Sequence, residues 1–244
     1  MKTKTTGRTL MYVAASAILL TSSALFISSC NKEDVIDPLP TNISTGTDMV
    51  DIGGTAPTWT IDKTHSNVGW ETFYFGSNAL LTGRFNNFGV TLHFDQENPE
   101  NTTISSWVQL STFNTGEPGR DAAGKCGPGY MGVVFDVDTN PTPDVYTVQP
   151  ASDTAWFNST STERFGSGYV ARGTLNFKGV EAPIDLYFEY AGVHEYASTT
   201  GGAPTYKTGF SGQFDMKAQS VFGVTSTSIA DLVKVKLNVN AKKI

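Results

Sequence analysis

The chain has 244 residues with 17 basic and 23 acidic side chains, a formal net charge of −6, and only two cysteines. That acidity leaves no electrostatic footprint for nucleic acid and suits charge-driven docking on anionic membranes poorly. Two cysteines are no disulfide scaffold, and the length suffices for one domain that encloses a core without staples.

The first 29 residues carry Lys2, Lys4 and Arg8, no acid, and a mostly apolar run over 10–27. A positive start followed by such a run reads as a secretory signal. It ends in "ISSC", which resembles the lipobox of bacterial lipoproteins, where a small residue precedes a Cys that is acylated and becomes the N-terminus. The Ser and Thr within the run and its small-small-Cys end favour this over a membrane-spanning anchor. Residues 1–29 are therefore expected to be removed, Cys30 to carry lipid, and Cys126 to remain as a lone thiol. The expected location is the cell envelope, anchored to the outer membrane on its periplasmic or its outer face. Loss of that segment takes the formal charge from −6 to −9.

Residues 30–57 follow as an expected flexible tether, rich in acids and proline, with a reach on the order of 30 Å. "KED", residues 32–34 just after Cys30, is similar to a short export signal of surface lipoproteins. From residue 58 to 244 the pattern predicts a single domain with period-two alternation almost throughout. Phe88, Val90, Leu92 and Phe94 alternate with Gly89, Thr91, His93 and Asp95. The same spacing recurs at Ile104, Val108 and Leu110, at Tyr169, Leu175 and Phe177, and at Ile184, Leu186, Phe188 and Tyr190. It returns at Phe210, Phe214 and Met216, and at Val233, Val235, Leu237 and Val239. No long segment has a period of 3.6.

Seven or eight strands with turn-rich connections predict an all-β, antiparallel sandwich or barrel. Small residues expected to face inward, Gly83, Ala171, Gly173 and Gly212, tilt this toward a barrel with interior space. The sequence leaves oligomeric state open: were the last strand to have a free edge, a second copy could pair there into a homodimer.

"WTIDKTHSNVGWETFYFG" and "LLTGRFNNFGVTLHFD" resemble the opening of the YceI-like family, through Trp59, Asp62, His65, Ser66, Gly83, Phe85 and Phe88. Arg120 and Asp121, the stretch "GTLNFKGVEAPIDL", "FGV" at 222–224 and the closing "LVKVKLNVNAKK" continue the likeness to the end of the chain. The resemblance implies a lipocalin-like barrel of about eight strands with an apolar cavity. It also implies a long-chain lipid or polyisoprenoid ligand, no cofactor and no catalysis. Two positions depart from the family: Gln219 replaces a usual basic residue, and a glycine-rich stretch follows Arg120-Asp121 in place of a helix.

The expected cavity lining is Ile61, Val68 and Trp70 from the first strands, and Phe85, Phe88, Val90, Leu92 and Phe94 from the next. Leu175, Phe177, Leu186, Phe188, Phe210 and Phe214 complete it. Arg120 and Lys125 are expected near its mouth, as contacts for a polar head. An alternative is a surface interaction or adhesion module, for which Trp107, Tyr187 and Tyr196 are the outward aromatics.

"GRDAAGKC", residues 119–126, nearly matches the phosphate-binding loop G-x-x-x-x-G-K-[ST]. Cys126 replaces the metal-binding hydroxyl and "CGPGYMG" cannot open a helix, so nucleotide binding is not expected. His65 and Ser66 are neighbours on an expected strand and point to opposite faces, which excludes a dyad. His65, His93 and His194 are too scattered for a metal site. "DVDTNPTPD", 136–144, lacks the Gly and distal Glu of a calcium loop.

Overall fold

The computed structural model describes residues 47–121, 153–198 and 201–244. The alternating segments form strands: β1 (Met49–Ile52), β2 (Trp59–Ile61), β3 (Asn67–Tyr74), β4 (Ala79–Phe85), β5 (Phe88–Asp95) and β6 (Thr103–Gln109). The series continues with β7 (Phe113–Asn114), β8 (Thr154–Phe165), β9 (Gly168–Phe177), β10 (Val180–Tyr196), β11 (Thr205–Lys217) and β12 (Ile229–Lys243). All belong to one sheet in the order β11-β10-β9-β8-β6-β5-β1-β2-β12-β3-β4-β7. A further pairing of β11 with β12 closes it into a ring. The pairings are antiparallel except for the single parallel contact of Ile52 in β1 with Trp59 in β2.

Twelve strands replace the expected eight or so among the described residues. The extra ones include β1, β2 and β7, which have four, three and two residues. Alternation cannot show itself in segments that short. β1 also lies within the expected tether: it pairs with β5 from Met49↔Asp95 to Ile52↔Leu92, and Val50 and Ile52 are buried. The ordered domain thus begins before residue 58, because two apolar residues there cover one end of the core.

β12 has no open edge. One side pairs with β11 from Lys207↔Lys242 to Lys217↔Leu232. The other is shared by β3, as far as Asn238↔Asn67, and β2, from Ala241↔Ile61 to Lys243↔Trp59. A route to a dimer through that edge is therefore filled by the chain's own strands. Outside, Lys236 Nζ reaches Glu71 Oε2 at 2.6 Å across the β3–β12 pair.

One end of the barrel is sealed by rings. Phe94, fully buried, has its ring centroid 5.2 Å from Tyr169, 4.7 Å from Tyr190 and 5.2 Å from Phe210. Such edge-on and tilted contacts contribute beyond simple area burial. The Tyr190 hydroxyl donates to Asp48 Oδ2 at 2.9 Å, which ties the residue before β1 to this floor. Burial pushes the Tyr190 phenol well above its ordinary pKa.

The segment around His65 and Ser66 is a 3₁₀ turn, Lys63–His65, rather than the expected strand. Asp62 caps it, accepting from Thr64 N and His65 N. Ser66 Oγ donates to Asp62 O at 2.7 Å and accepts from Asn240 N at 2.9 Å, while Asn240 Nδ2 donates to His65 O at 2.6 Å. These bonds join this 3₁₀ turn to β12 and close the barrel at that corner.

Candidate functional site

A cavity of about 570 Å³ lies inside the barrel. Its wall is nearly all aliphatic and aromatic, because the inward positions of almost every strand are apolar by period two. Twelve of the fourteen residues expected to line it do so: Val68, Trp70, Phe85, Phe88, Val90, Leu92, Leu175, Phe177, Leu186, Phe188, Phe210 and Phe214. Phe94 does not. It faces inward like Leu92, but the surrounding rings enclose it, so the cavity ends at Phe188 and Phe210 above it. Ile61 does not either, since it sits on β2 against Ala241, at the β12 end beyond the cavity.

The wall includes residues the sequence reading had not assigned to it. Ile104, Val108 and Leu110 contribute, and their alternation was visible. Phe113 and Phe157 contribute as well. Phe113 stands on a two-residue strand with no pattern to reveal it. Trp107, expected to point outward, borders the cavity and is half-buried, with its ring 6.2 Å from that of Trp156. Tyr187 is also half-buried, beside Phe165 at 5.2 Å. Of the three, Tyr196 alone is truly exposed.

The cavity reaches the surface at the β3–β4 hairpin, where Tyr74, Ala79 and Leu80 both line it and remain exposed to solvent. From Thr72 to Gly83 this hairpin has no charged residue. A second polar rim is formed after β7. Asp121 accepts from Thr115 N at 2.9 Å and from Thr115 Oγ1 at 2.7 Å, folding a four-residue helical turn, Pro118–Asp121, back on the strand. That turn places Arg120 on the cavity's border, 3.8 Å from Glu117. Lys125, Cys126 and Cys30 lie outside the described residues, as does the calcium-like 136–144 stretch.

Trp70 is the most unusual member of the wall. Its ring stacks on Phe113 at 4.9 Å with 17° between planes, yet its buried Nε1 finds no acceptor among the described residues. A buried donor left unmet costs about 1–3 kcal/mol. Thr72, by contrast, donates to Leu232 O at 2.9 Å.

The candidate catalytic and metal residues are engaged elsewhere. His65 Nδ1 lies 2.7 Å from Asp62 Oδ2, a bond that holds the Asp62 carboxyl below its ordinary pKa. His93 Nδ1 meets Asp51 Oδ1 at 2.6 Å, and His194 Nε2 lies 2.8 Å from Ala191 O. Among the described residues, no three metal-ligating side chains come together. Gln219, where the family usually has a basic residue, donates from Nε2 to Ser226 O at 2.6 Å and Ile229 O at 2.8 Å. It fastens the β11–β12 loop and does not line the cavity.

The profile of the YceI-like domain matches residues 59–241. The chain belongs to the YceI-like family. The resemblance carried by Trp59, Asp62, His65 and Ser66 therefore holds, and the last three form the cap and corner described above. A UPF0312 protein of Pseudomonas aeruginosa is 26% identical over 146 residues, 60% of this chain and 64% of that protein, so the likeness spans under two thirds of the relative. A UPF0312 protein of Photorhabdus laumondii is 26% identical over 155 residues, 63% of this chain and 69% of that one. Among solved structures, BcnA of Burkholderia cenocepacia superposes with a TM-score of 0.52 at 21% identity. That match covers 74% of this chain and 98% of BcnA, and it bears on the fold alone. A polyisoprenoid binding domain from Saccharophagus degradans aligns over 77% of this YceI-like chain and 99% of its own, at 14% identity and a TM-score of 0.45, too loose to carry function across.

Proposed function

We propose that this YceI-like protein is a non-catalytic carrier that holds a long apolar or amphiphilic chain, of the polyisoprenoid or fatty type, inside the barrel. The observation that carries the reading is the apolar cavity of about 570 Å³, open at an uncharged hairpin and floored by aromatic rings. Its volume lies within the range of small-molecule sites, which are mostly apolar with a few polar fixings. Each ligand methylene buried there contributes about 0.8 kcal/mol, so an aliphatic chain binds with little polar contact. Arg120 on the border, with Lys125 as a second cation, is where an anionic head would be met. Acylation of Cys30 after removal of residues 1–29 would hold the carrier at the outer membrane.

The decisive experiment is organic extraction, or native mass spectrometry, of the protein purified from its own host. Recovery of a stoichiometric long-chain lipid is expected. A protein recovered empty, and unable to take up any such chain when it is offered, would overturn the carrier reading. The anchor is tested separately. Cys30→Ser should release the protein from membrane fractions, and retention of that variant in the membrane would refute acylation.

A further inference from the structure

The outer side of the β3–β4 hairpin carries Phe73 and Leu80, paired directly across the two strands, and both are exposed. Tyr74 and Phe75 follow at its tip and are exposed too, Phe75 at 56%. Exposed Leu232 of β12, whose carbonyl accepts the Thr72 hydroxyl at 2.9 Å, continues this apolar surface beside β3. No charged residue interrupts the hairpin from Thr72 to Gly83. Single exposed apolar side chains are ordinary, but a contiguous group of them marks a docking surface.

Phe75 is also poorly suited to its own backbone. Its φ of 44° lies in the left-handed region, which a bulky side chain rarely enters. Strain of this kind persists only where the surroundings impose it, and here the Phe75 N–H donates to Ser228 O at 2.8 Å and Gly76 follows with φ of 77°. The phenyl ring gains little in return, since its partner is the exposed Tyr74, met edge-on at 4.5 Å. Asn or Gly would fit this turn better. Folding alone gives no reason to hold an aromatic ring out in water at a strained position.

The same hairpin rims the cavity, which Tyr74, Ala79 and Leu80 line. A long apolar chain released from this mouth into water exposes every methylene and loses the hydrophobic gain of each. A bilayer held against the mouth takes the chain without that loss. We propose that the β3–β4 hairpin is a membrane-docking tip, which sinks Phe73, Phe75 and Leu80 into the boundary between headgroups and acyl chains and opens the cavity directly onto the bilayer. The proposal rests on the carrier reading given above. Charge does not drive the docking, because the hairpin has none and the whole chain is acidic, so anionic lipid offers no attraction. Tyr74, apolar in its ring and polar at its hydroxyl, suits the headgroup level. The contact is shallow and reversible, since one short apolar element does not anchor a protein, and Cys30→Ser still leaves membrane fractions. The chain enters the barrel at the floor, where Asp48 meets Tyr190, and residues 31–46 span about 55 Å at most. β12, with 15 residues, covers a similar length from floor to mouth, so an anchor at Cys30 lets the mouth face the bilayer.

The test follows fluorescent anthroyloxy-stearate, loaded into the full-length protein, as it passes to phosphatidylcholine vesicles that contain a quencher. Parent and variant both carry Cys30→Ser, so that no acyl chain brings them to the vesicle. Delivery by docking makes the rate rise in proportion to vesicle concentration, whereas release through water makes it independent of the vesicles. The parent should show the proportional rise, with no gain from added phosphatidylglycerol, a readout that stands whatever the variant does. Phe73→Thr/Phe75→Asn changes two residues that do not line the cavity, and at equal vesicle concentration it should transfer at least about tenfold more slowly. Its affinity for the chain, read by displacement of the apolar probe N-phenyl-1-naphthylamine, should match the parent's, and its urea midpoint should be no lower, since Asn takes a positive φ readily. A parent rate indifferent to vesicle concentration, a variant as fast as the parent, or transfer that requires phosphatidylglycerol would overturn the proposal and leave the carrier reading intact. A parent dimer that the two substitutions dissolve would assign this face to a second copy and overturn it likewise. Failure of the parent to take up the fluorescent chain would overturn the carrier reading and this proposal with it.

Discussion

The indole of Trp70 on β3 lies across Gly83 of β4, its cross-strand partner in the register Trp70↔Gly83. Any side chain at 83 would occupy the space of Trp70 Cε2 and Cζ2 and would also meet Asn114 O at 2.9 Å. The glycine is what allows a ring of that size to lie flat in the cavity wall.

Gly83→Val should therefore cost about 1–3 kcal/mol, the usual penalty for overpacking. The displaced indole would also lose its stack on Phe113, so the near-UV circular dichroism should weaken. Urea denaturation followed by both near-UV and far-UV signals checks this. A variant with unchanged midpoint and unchanged aromatic dichroism would mean that the Trp70–Gly83 contact is unimportant.

Phe94 separates the cavity from the barrel's end. Phe94→Ala removes a fully buried ring and should destabilise by about 3–5 kcal/mol. If the protein carries an aliphatic chain, the same change lengthens the cavity toward Tyr190 and should shift its preference to longer chains. A series of methyl ketones of increasing length, tested by probe displacement, reads this out. Lost stability with no change in preferred length would show that the floor does not set the limit.

These two positions also mark how far the sequence could be read. Inward alternation from Val68 to Phe214 was legible because a strand with one buried face must write its burial with period two. Phe94 obeys the same alternation, and nothing in the pattern says that four other rings will close around it. That closure depends on strands β9, β10 and β11, far away in the chain. Phe113 and Val50 were illegible for the opposite reason, since two- and four-residue strands are too short to show a period. Whether β12 had a free edge was not legible either, because register, not composition, decides how two partners share one long strand. The missing acceptor at Trp70 is a fact of three-dimensional accounting that no linear pattern contains.

Arg120 is more than a third exposed, and its pairing with Glu117 at 3.8 Å is loose. Exposed ion pairs contribute about 0–1 kcal/mol, so Arg120→Ala should leave stability unchanged. If an anionic head meets Arg120, the variant should bind palmitate up to about fivefold more weakly and bind 2-heptadecanone as before. Equal losses for both probes would make this turn a mere cover over the cavity.

Stability should fall at both ends of the pH scale, for different groups. In the folded chain the Asp95 carboxyl is held below its ordinary value of 3.8, first by the Asn98 backbone N–H and next by the Asn101 amide. Asp231 is held down by the Ser220 hydroxyl and backbone N–H, and Asp62 by His65. Below about pH 4 the unfolded chain binds more protons at these groups than the folded one. Their stabilisation is therefore present above that pH and is lost as pH falls through the folded values. Tyr190 works in the other direction, because burial raises its pKa from 10.0. Its contribution is complete below about pH 10. It declines as pH rises further, since the unfolded chain releases the phenolic proton first. Thermal midpoints measured across both limbs should show Asp231→Asn flattening the acid side and Tyr190→Phe flattening the alkaline side. Tyr190→Phe should also lose about 1 kcal/mol at neutral pH, from the hydrogen bond to Asp48. An alkaline limb as steep in Tyr190→Phe as in the parent would assign that titration to another group, with Tyr169, whose pKa burial also raises, the next to test.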